Sequence, residues 1–275
     1  MENSPVVSFN DVSKTFRNEE TSFTACSGLT FDVRDGEVLA IVGETGCGKS
    51  TALSLLLGLQ APTEGTVRVL ETDPFQEFEK LRGRIGIIFQ NDRLLPWRTA
   101  LENVAFGLEI LHVPKAERLE RSRHWLDRVG LGKFINSYPH QLSGGMRQRT
   151  SIARTFAINP PLLLADEAFS ALDEITAASL RNDLLGLIGE EHKTTVFITH
   201  SVTEASELAG RILIFGKPGH VIREIEAGKM RTRGATKEDV AAEIRDGLRM
   251  ARVGHPLHEA FEPEGPSQVP MRQQS

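Results

Sequence analysis

The 275-residue sequence has no apolar run of 18 or more residues, the length a helix needs to cross a bilayer. No signal-peptide pattern follows Met1, so the expectation is a chain that neither spans a membrane nor is exported and that stays in the cytoplasm. Cysteine is almost missing: Cys26 and Cys47 are too few and wrongly spaced for a disulfide framework or a zinc site. Basic runs are absent too. With 32 Lys and Arg against 37 Asp and Glu the net charge is -5, and no segment could track a phosphate backbone, which argues against a general nucleic-acid binder. There is no internal repeat. What is plentiful is apolar side chain, 40% of the residues, enough for a sizeable core in one or two domains.

Alternating segments at Val6 to Phe9, Phe23 to Val33 and Thr66 to Val69 predict a small antiparallel sheet. Unbroken apolar runs of strand length suit a parallel sheet covered on both faces: Val38 to Val42, Ile85 to Phe89, Leu162 to Ala165, Thr195 to Thr199 and Ile212 to Phe215. Between Asn91 and Ile158 the period turns helical. Pro114 suits a helix start, and Ala116, Leu119, Leu126 and Val129 fall on one face. Residues 91–158 are therefore expected to form an inserted helical subdomain. After Gly228 the apolar density falls; Glu238 to Met250 reads as one helix, and Glu262 to Ser275, rich in Pro, Gln and Ser, as disordered. The expected division is a main domain over residues 1–227 and a helical or disordered tail over 228–275.

The most informative stretch is Gly43-Glu44-Thr45-Gly46-Cys47-Gly48-Lys49-Ser50-Thr51, directly after the run Val38 to Val42. Such a loop holds a polyphosphate in a ring of backbone N–H groups, and Gly43, Gly46 and Gly48 let the backbone bend that closely. Lys49 can place its ammonium on the β- and γ-phosphates, and Ser50 can ligate Mg2+. The apolar helix that follows aims its N-terminal dipole at the anion. Glu44, Thr45, Cys47 and Thr51 complete the cradle. Cys47 reads as a small filler whose thiol, beside a helix N-terminus, can have a lowered pKa; its alkylation is expected to block hydrolysis, with ATP protecting.

A second motif, Leu162 to Glu167, is an apolar strand ending in two adjacent carboxylates. Successive strand side chains point opposite ways, so Asp166 can meet a metal shell while Glu167 polarises an attacking water. A third, Leu142-Ser143-Gly144-Gly145-Met146, opens the helical pattern Arg147 to Ala157. Its hydroxyl, free N–H groups and helix dipole make another anion site. Two sites that each open their own helix are hard to bring onto one nucleotide within one subunit. The economical geometry is a head-to-tail dimer with each nucleotide sandwiched between Lys49 of one copy and Ser143, Gly144 and Gly145 of the other.

Over most of its length, from Val6 to Glu226, the chain resembles the nucleotide-binding subunit of an ATP-binding cassette (ABC) transporter. The resemblance implies an α/β fold: a P-loop NTPase core with a parallel sheet, an N-terminal antiparallel β subdomain and an inserted α-helical subdomain. It implies ATP and Mg2+ as cofactors. Gly43 to Thr51 takes the place of the Walker A motif, Leu162 to Glu167 of Walker B, and Leu142 to Met146 of the signature. It further implies that Gln90 senses Mg2+ and the attacking water, and that Asp173, in Ser170-Ala171-Leu172-Asp173, lies at the dimer interface. His200 resembles the switch histidine on the γ-phosphate. Phe16 stands where the family stacks an aromatic on adenine, with Phe23 a nearby competitor.

The catalytic set so implied is Glu167, His200, Gln90 and Lys49; the metal ligands are Ser50, Gln90 and Asp166. Two positions depart from the family pattern, Met146 for the usual Gln and Ala168 for the usual Pro. Phosphate contacts would fall to Ser143 and the glycine N–H groups, and Ala168 leaves the Glu167 carboxylate in place, so activity is still expected. Work must then pass to separate transmembrane permease subunits, from a peripheral homodimer on the cytoplasmic face of the inner membrane. An extracytoplasmic substrate-binding protein would take part indirectly, and nucleic acid would not. The stretches Gln90 to Arg98 and Tyr138 to Arg149 resemble the bacterial importer subgroup for nitrate, sulfonate and taurine, which implies a small anionic or zwitterionic nutrient. The rival reading, a soluble ABC-type ATPase acting on nucleic acid or ribosomes, calls for paired cassettes, a long coiled-coil insertion or zinc modules, and the sequence has none of them.

Overall fold

Two sheets share the strands of this protein. The computed structural model describes residues 4–18 and 21–253. The first sheet is antiparallel, built from β1 (Val7–Arg17), β2 (Ser22–Val33) and β4 (Glu64–Val69) in the order β2-β1-β4. Its first strand runs eight residues beyond the expected Phe9, because register shifts between Phe9 and Thr15 break the alternation that marks a strand.

The second sheet has six strands in the order β5-β6-β7-β3-β8-β9. Its members are β3 (Val38–Gly43), β5 (Ile85–Phe89), β6 (Leu162–Asp166), β7 (Thr194–Thr199), β8 (Arg211–Gly216) and β9 (His220–Ile225). Five are parallel, as the apolar runs predict; β9, half-exposed and not anticipated, returns antiparallel on β8. The inner parallel strands are buried on both faces, with β5 at the sheet edge only partly so, and their alternation sorts residues between two cores. Ala40, Val42, Leu163, Ala165, Ile212 and Ile214 face one core; Leu39, Ile41, Leu162, Leu164, Leu213 and Phe215 face the other. That two-sided burial is why each run reads as continuous rather than alternating.

The second of these cores is closed by the antiparallel sheet and α1 (Lys49–Leu56). The first is closed by the remaining helices. The inserted segment contributes α2 (Ala100–Ile110), started by a capping box between Thr99 and Glu102, α3 (Lys115–Arg128) and α4 (Gly144–Ala157). Pro114 does cap α3. The buried face of that helix differs from expectation: Ser122, Trp125 and Leu126 are buried and Leu119 partly so, whereas Ala116 is exposed. Ala116 lies in the first turn, before the helix meets α4. Trp125 and Phe156 pack there with ring centroids 5.0 Å apart.

After β6 come α5 (Glu174–Glu190), α6 (Val202–Leu208), α7 (Ala227–Thr232) and α8 (Lys237–Val253). The helix expected over Glu238 to Met250 is α8, and its Val240 and Ile244 are fully buried in the same core as Ile212 and Ile214. The Glu262 to Ser275 expectation lies outside the described residues. No helix among the described residues is long and apolar enough to cross a membrane.

Candidate active site

In the parallel sheet the C-terminal strand ends point the same way, and the candidate residues sit along that edge in strand order. Gln90 follows β5, Asp166 ends β6 with Glu167 next, His200 follows β7, and the glycine-rich loop follows β3. Phe89 pairs with Asp166 and Asp166 with Ile198, which aligns the first three strand ends to within a residue. A crevice outside the carboxyl ends of such strands is where α/β sheets bind ligands.

The loop between β3 and α1 owes its path to three glycines. Gly46 and Gly48 have φ of 77° and 108°, values that side chains rarely tolerate. A Cβ on Gly48 would come 2.5 Å from the Ala25 carbonyl oxygen, and one on Gly43 would come 2.6 Å from Cys47 Sγ. Lys49 is buried and donates from Nζ to the carbonyls of Gly43 (2.6 Å) and Glu44 (2.9 Å). Its ammonium therefore stays inside the loop's curve. Ser50 is exposed and Thr51 partly so, both in the first turn of α1.

The thiols differ from expectation. Cys47 is buried, and that burial pushes its pKa up by more than the Lys49 charge and the helix N–H groups lower it. Cys26, also buried, donates to the Gly48 carbonyl, and burial first and Cys47 second push it up to about 11. The lowered pKa expected for Cys47 is thus reversed: desolvation outweighs the dipole.

Beside the loop, Asp166 is pushed above the usual carboxylate range by burial and then by its neighbour Glu167, with Lys49 pulling it back only in part. A partly buried carboxylate short of compensating positive charge suits a divalent cation, and Asp166 with the exposed Ser50 hydroxyl and the Gln90 amide offers the oxygen donors Mg2+ takes. Among the described residues no cluster of three or more His, Cys, Asp or Glu stands ready to hold a metal.

Glu167 sits in the left-handed region at φ 48°. Its N–H donates to Ile198 O at 2.8 Å, while its own carbonyl accepts from Ser170 Oγ (2.6 Å) and Ser170 N (3.1 Å). So held, its Oε1 lies 3.1 Å from His200 Nδ1. His200 also lines a cavity of about 400 Å3 at the loop mouth, with Gly43, Glu44, Thr45, Leu248 and Arg252.

The remaining candidates lie apart. Ser143 is the N-cap of α4, its Oγ accepting from Met146 N (3.3 Å), and Gly144 and Gly145 lie against Leu172 and Thr176 rather than in the loop cavity. Asp173 caps α5, and the Thr176 N–H it accepts at 3.0 Å holds its carboxyl below the usual range. Phe16 and Phe23 pair directly across β1 and β2, 40% and 54% exposed, so they share one face of the sheet. Lys14 Nζ stands 5.2 Å from the Phe16 ring centre.

Sequence reasoning missed the residues that wire these parts together. Gln148, buried in α4, donates to the carbonyls of Phe89 (3.1 Å) and Ala168 (2.7 Å), which adjoin Gln90 and Glu167. Arg147 holds the Asp92 carboxylate at 2.9 Å, and Arg154 bonds the carbonyls of Asp92 and Arg93. Fully buried Asn103 accepts from Leu95 N and donates to the carbonyls of Leu95, Arg98 and Thr99. Glu204, buried, accepts from Thr199 Oγ1 at 2.6 Å just before His200. A polar residue on the apolar face of a helix was the available signal for Gln148, Asn103 and Glu204.

A glycine-rich loop on a central parallel strand, with carboxylates at the end of a strand two places along, defines a P-loop NTPase. The ABC transporter family profile matches residues 26–170. An uncharacterized ABC transporter ATP-binding protein of Methanocaldococcus jannaschii is 40% identical over 82% of this chain and 84% of its own length. A methionine import ATP-binding protein of Bacillus thuringiensis is 37% identical over 94% and 81%. Among solved structures, a dimeric ATP-binding cassette in a post-hydrolysis state bound to ADP and Pi superposes with a TM-score of 0.70 at 36% identity, over 80% of this chain and 98% of that one. A Clostridium perfringens protein described as part of an ABC transporter complex superposes at 0.75 and 24% identity, over 92% and 99%, a likeness of fold alone. The chain belongs to the ABC transporter ATP-binding family. It is an ATPase of that family, a transporter subunit that uses ATP with Mg2+.

Proposed function

We propose that this ATPase energises a bacterial importer of a small anionic or zwitterionic nutrient. The relatives named for methionine import support the zwitterionic end of that range, and the likeness of residues 90–98 and 138–149 to nitrate, sulfonate and taurine importers supports the anionic end. The observation that carries the catalytic reading is the Glu167–His200 contact, 3.1 Å, on the strand edge beside the loop.

In this reading Glu167 orients and polarises the attacking water, and His200 steadies it and meets the terminal phosphate. Lys49 and the loop N–H groups neutralise developing charge. Ser50, Asp166 and Gln90 would hold Mg2+, which would supply positive charge against the phosphates. The core over residues 1–227 works as a homodimer in which Ser143, Gly144, Gly145 and Asp173 of one copy close over the loop of the other. The dimeric relative and the position of Ser143 outside its own chain's loop cavity support this. Phe16, with Phe23 opposite, gives the adenine an aromatic surface.

The dimer would sit on the cytoplasmic face of the inner membrane, docked on permease subunits and served indirectly by an extracytoplasmic binding protein. Trp97, 69% exposed, on the segment that Asn103 and Arg154 pin, supports a docking role for residues 90–97 with the helical insert. The test is co-purification from native membranes. Wild type should bring down a multi-span permease and Trp97→Ala markedly less; capture of ribosomes or nucleic acid alone would contradict the transport reading.

A further inference from the structure

We propose that Arg252, in the last turn of α8, is a positioning residue of the nucleotide site: it neutralises Glu44, the acid of the phosphate-binding loop, so that the loop accepts a polyphosphate. The inference rests on the nucleotide role of that loop. Arg252 Nε is ion-paired with Glu44 Oε1 although 208 residues separate them in sequence. Both side chains line the cavity at the loop mouth together with His200 and Leu248.

The pair is delivered by packing rather than by chance proximity. Val240 and Ile244 are fully buried, and Leu248 packs against the same core one turn further on. Gly247 lets the helix lie close: a Cβ there would come 3.0 Å from Ile214 Cγ1. Arg223 of β9 holds Asp246 at 2.9 Å and also pairs with Glu243. The helix therefore brings its last turn to the loop, and Arg252 is the charged group it presents there.

A carboxylate in this position opposes the site's chemistry. A polyphosphate entering beside an uncompensated Glu44 would meet like-charge repulsion, weakening the field of Lys49 and the loop N–H groups. With a guanidinium on that carboxylate the local charge is zero. Because the two side chains are 64% and 48% exposed, the effect is modest and falls with salt.

The experiment is equilibrium binding of a fluorescent, non-hydrolysable ATP analogue to wild type, Arg252→Ala, Glu44→Gln, the double variant and Lys49→Ala, at low and high salt. Arg252→Ala should bind about three- to tenfold more weakly at low salt, with the difference shrinking at ~0.5 M salt. Glu44→Gln should bind at least as tightly as wild type, and in the double variant affinity should return to within about twofold of Glu44→Gln, as coupled residues require. Wild-type affinity in Arg252→Ala, or a loss that Glu44→Gln does not restore, would overturn the inference. Undiminished binding by Lys49→Ala would instead remove the nucleotide role of the loop.

Discussion

Glu167 holds a left-handed backbone that a side-chain-bearing residue keeps only where its neighbours fix it, here through Ile198 and Ser170. That orientation turns its carboxylate to His200. Glu167→Gln should therefore lower steady-state phosphate release at least about 100-fold while leaving ATP binding within a few-fold, since the charge it loses matters to the transition state more than to the bound nucleotide. The buried Glu204 gives a pH test. Burial raises its carboxyl above the usual range, and the Thr199 hydroxyl, Arg181 and His200 offset this only in part. A carboxyl raised in the folded state contributes stability that is complete below its unfolded pKa and is lost as pH rises through the folded one. In urea titrations between pH 4.5 and 8, Glu204→Gln should thus gain on wild type as pH rises; a flat difference would refute the assignment. The glycines, Lys49 and the paired carboxylates were legible because phosphate chemistry dictates both type and spacing. The state of Cys47 was not, because a helix dipole can be read from sequence and desolvation cannot. With its thiol buried and its pKa raised, Cys47 should react slowly with maleimide at neutral pH until the protein is unfolded, and rapid native-state labelling would contradict the geometry.

At the scale of elements, α4 runs from Ser143 to the segments beside Gln90 and Glu167. Its N-terminus carries Ser143 and the two glycines; its middle, through Gln148, Arg147 and Arg154, fixes the segments after β5 and β6; its far end packs Phe156 against Trp125. Phe156→Ala should cost about 3–5 kcal/mol in urea unfolding, with loss of ATPase activity following loss of the fold. Gly48→Ala tests the loop by a different route. A methyl at φ 108°, 2.5 Å from the Ala25 carbonyl, must displace β2 or the loop, so nucleotide binding should fall while the melting temperature drops by only a few degrees. The parallel strands were readable from continuous apolar runs. The long reach of β1 and the presence of β9 were not, since register shifts and half-exposure blur the alternation on which such reading depends.

For the molecule as a whole, Arg211 joins the parts. Nearly buried at the start of β8, it pairs with Glu37 (2.6 Å), Asp32 of β2 (3.4 Å) and Glu224 of β9 (3.2 Å), tying the antiparallel sheet to the main one. Removing it leaves Glu37 partly buried without its partner, so Arg211→Met should cost about 3 kcal/mol. No local pattern foretells such a node, because Arg211 and Asp32 lie 179 residues apart. The same holds for Arg252 and Glu44. The central claim, that the nucleotide is hydrolysed between two copies of this chain, is tested most directly by the solution mass of Glu167→Gln with and without Mg2+-ATP. A monomer that becomes a stable dimer on adding ATP, and that fails to do so when Ser143 is also replaced by Arg, is the predicted result. A Glu167→Gln protein that stays monomeric with ATP and turns it over at the wild-type rate would contradict it.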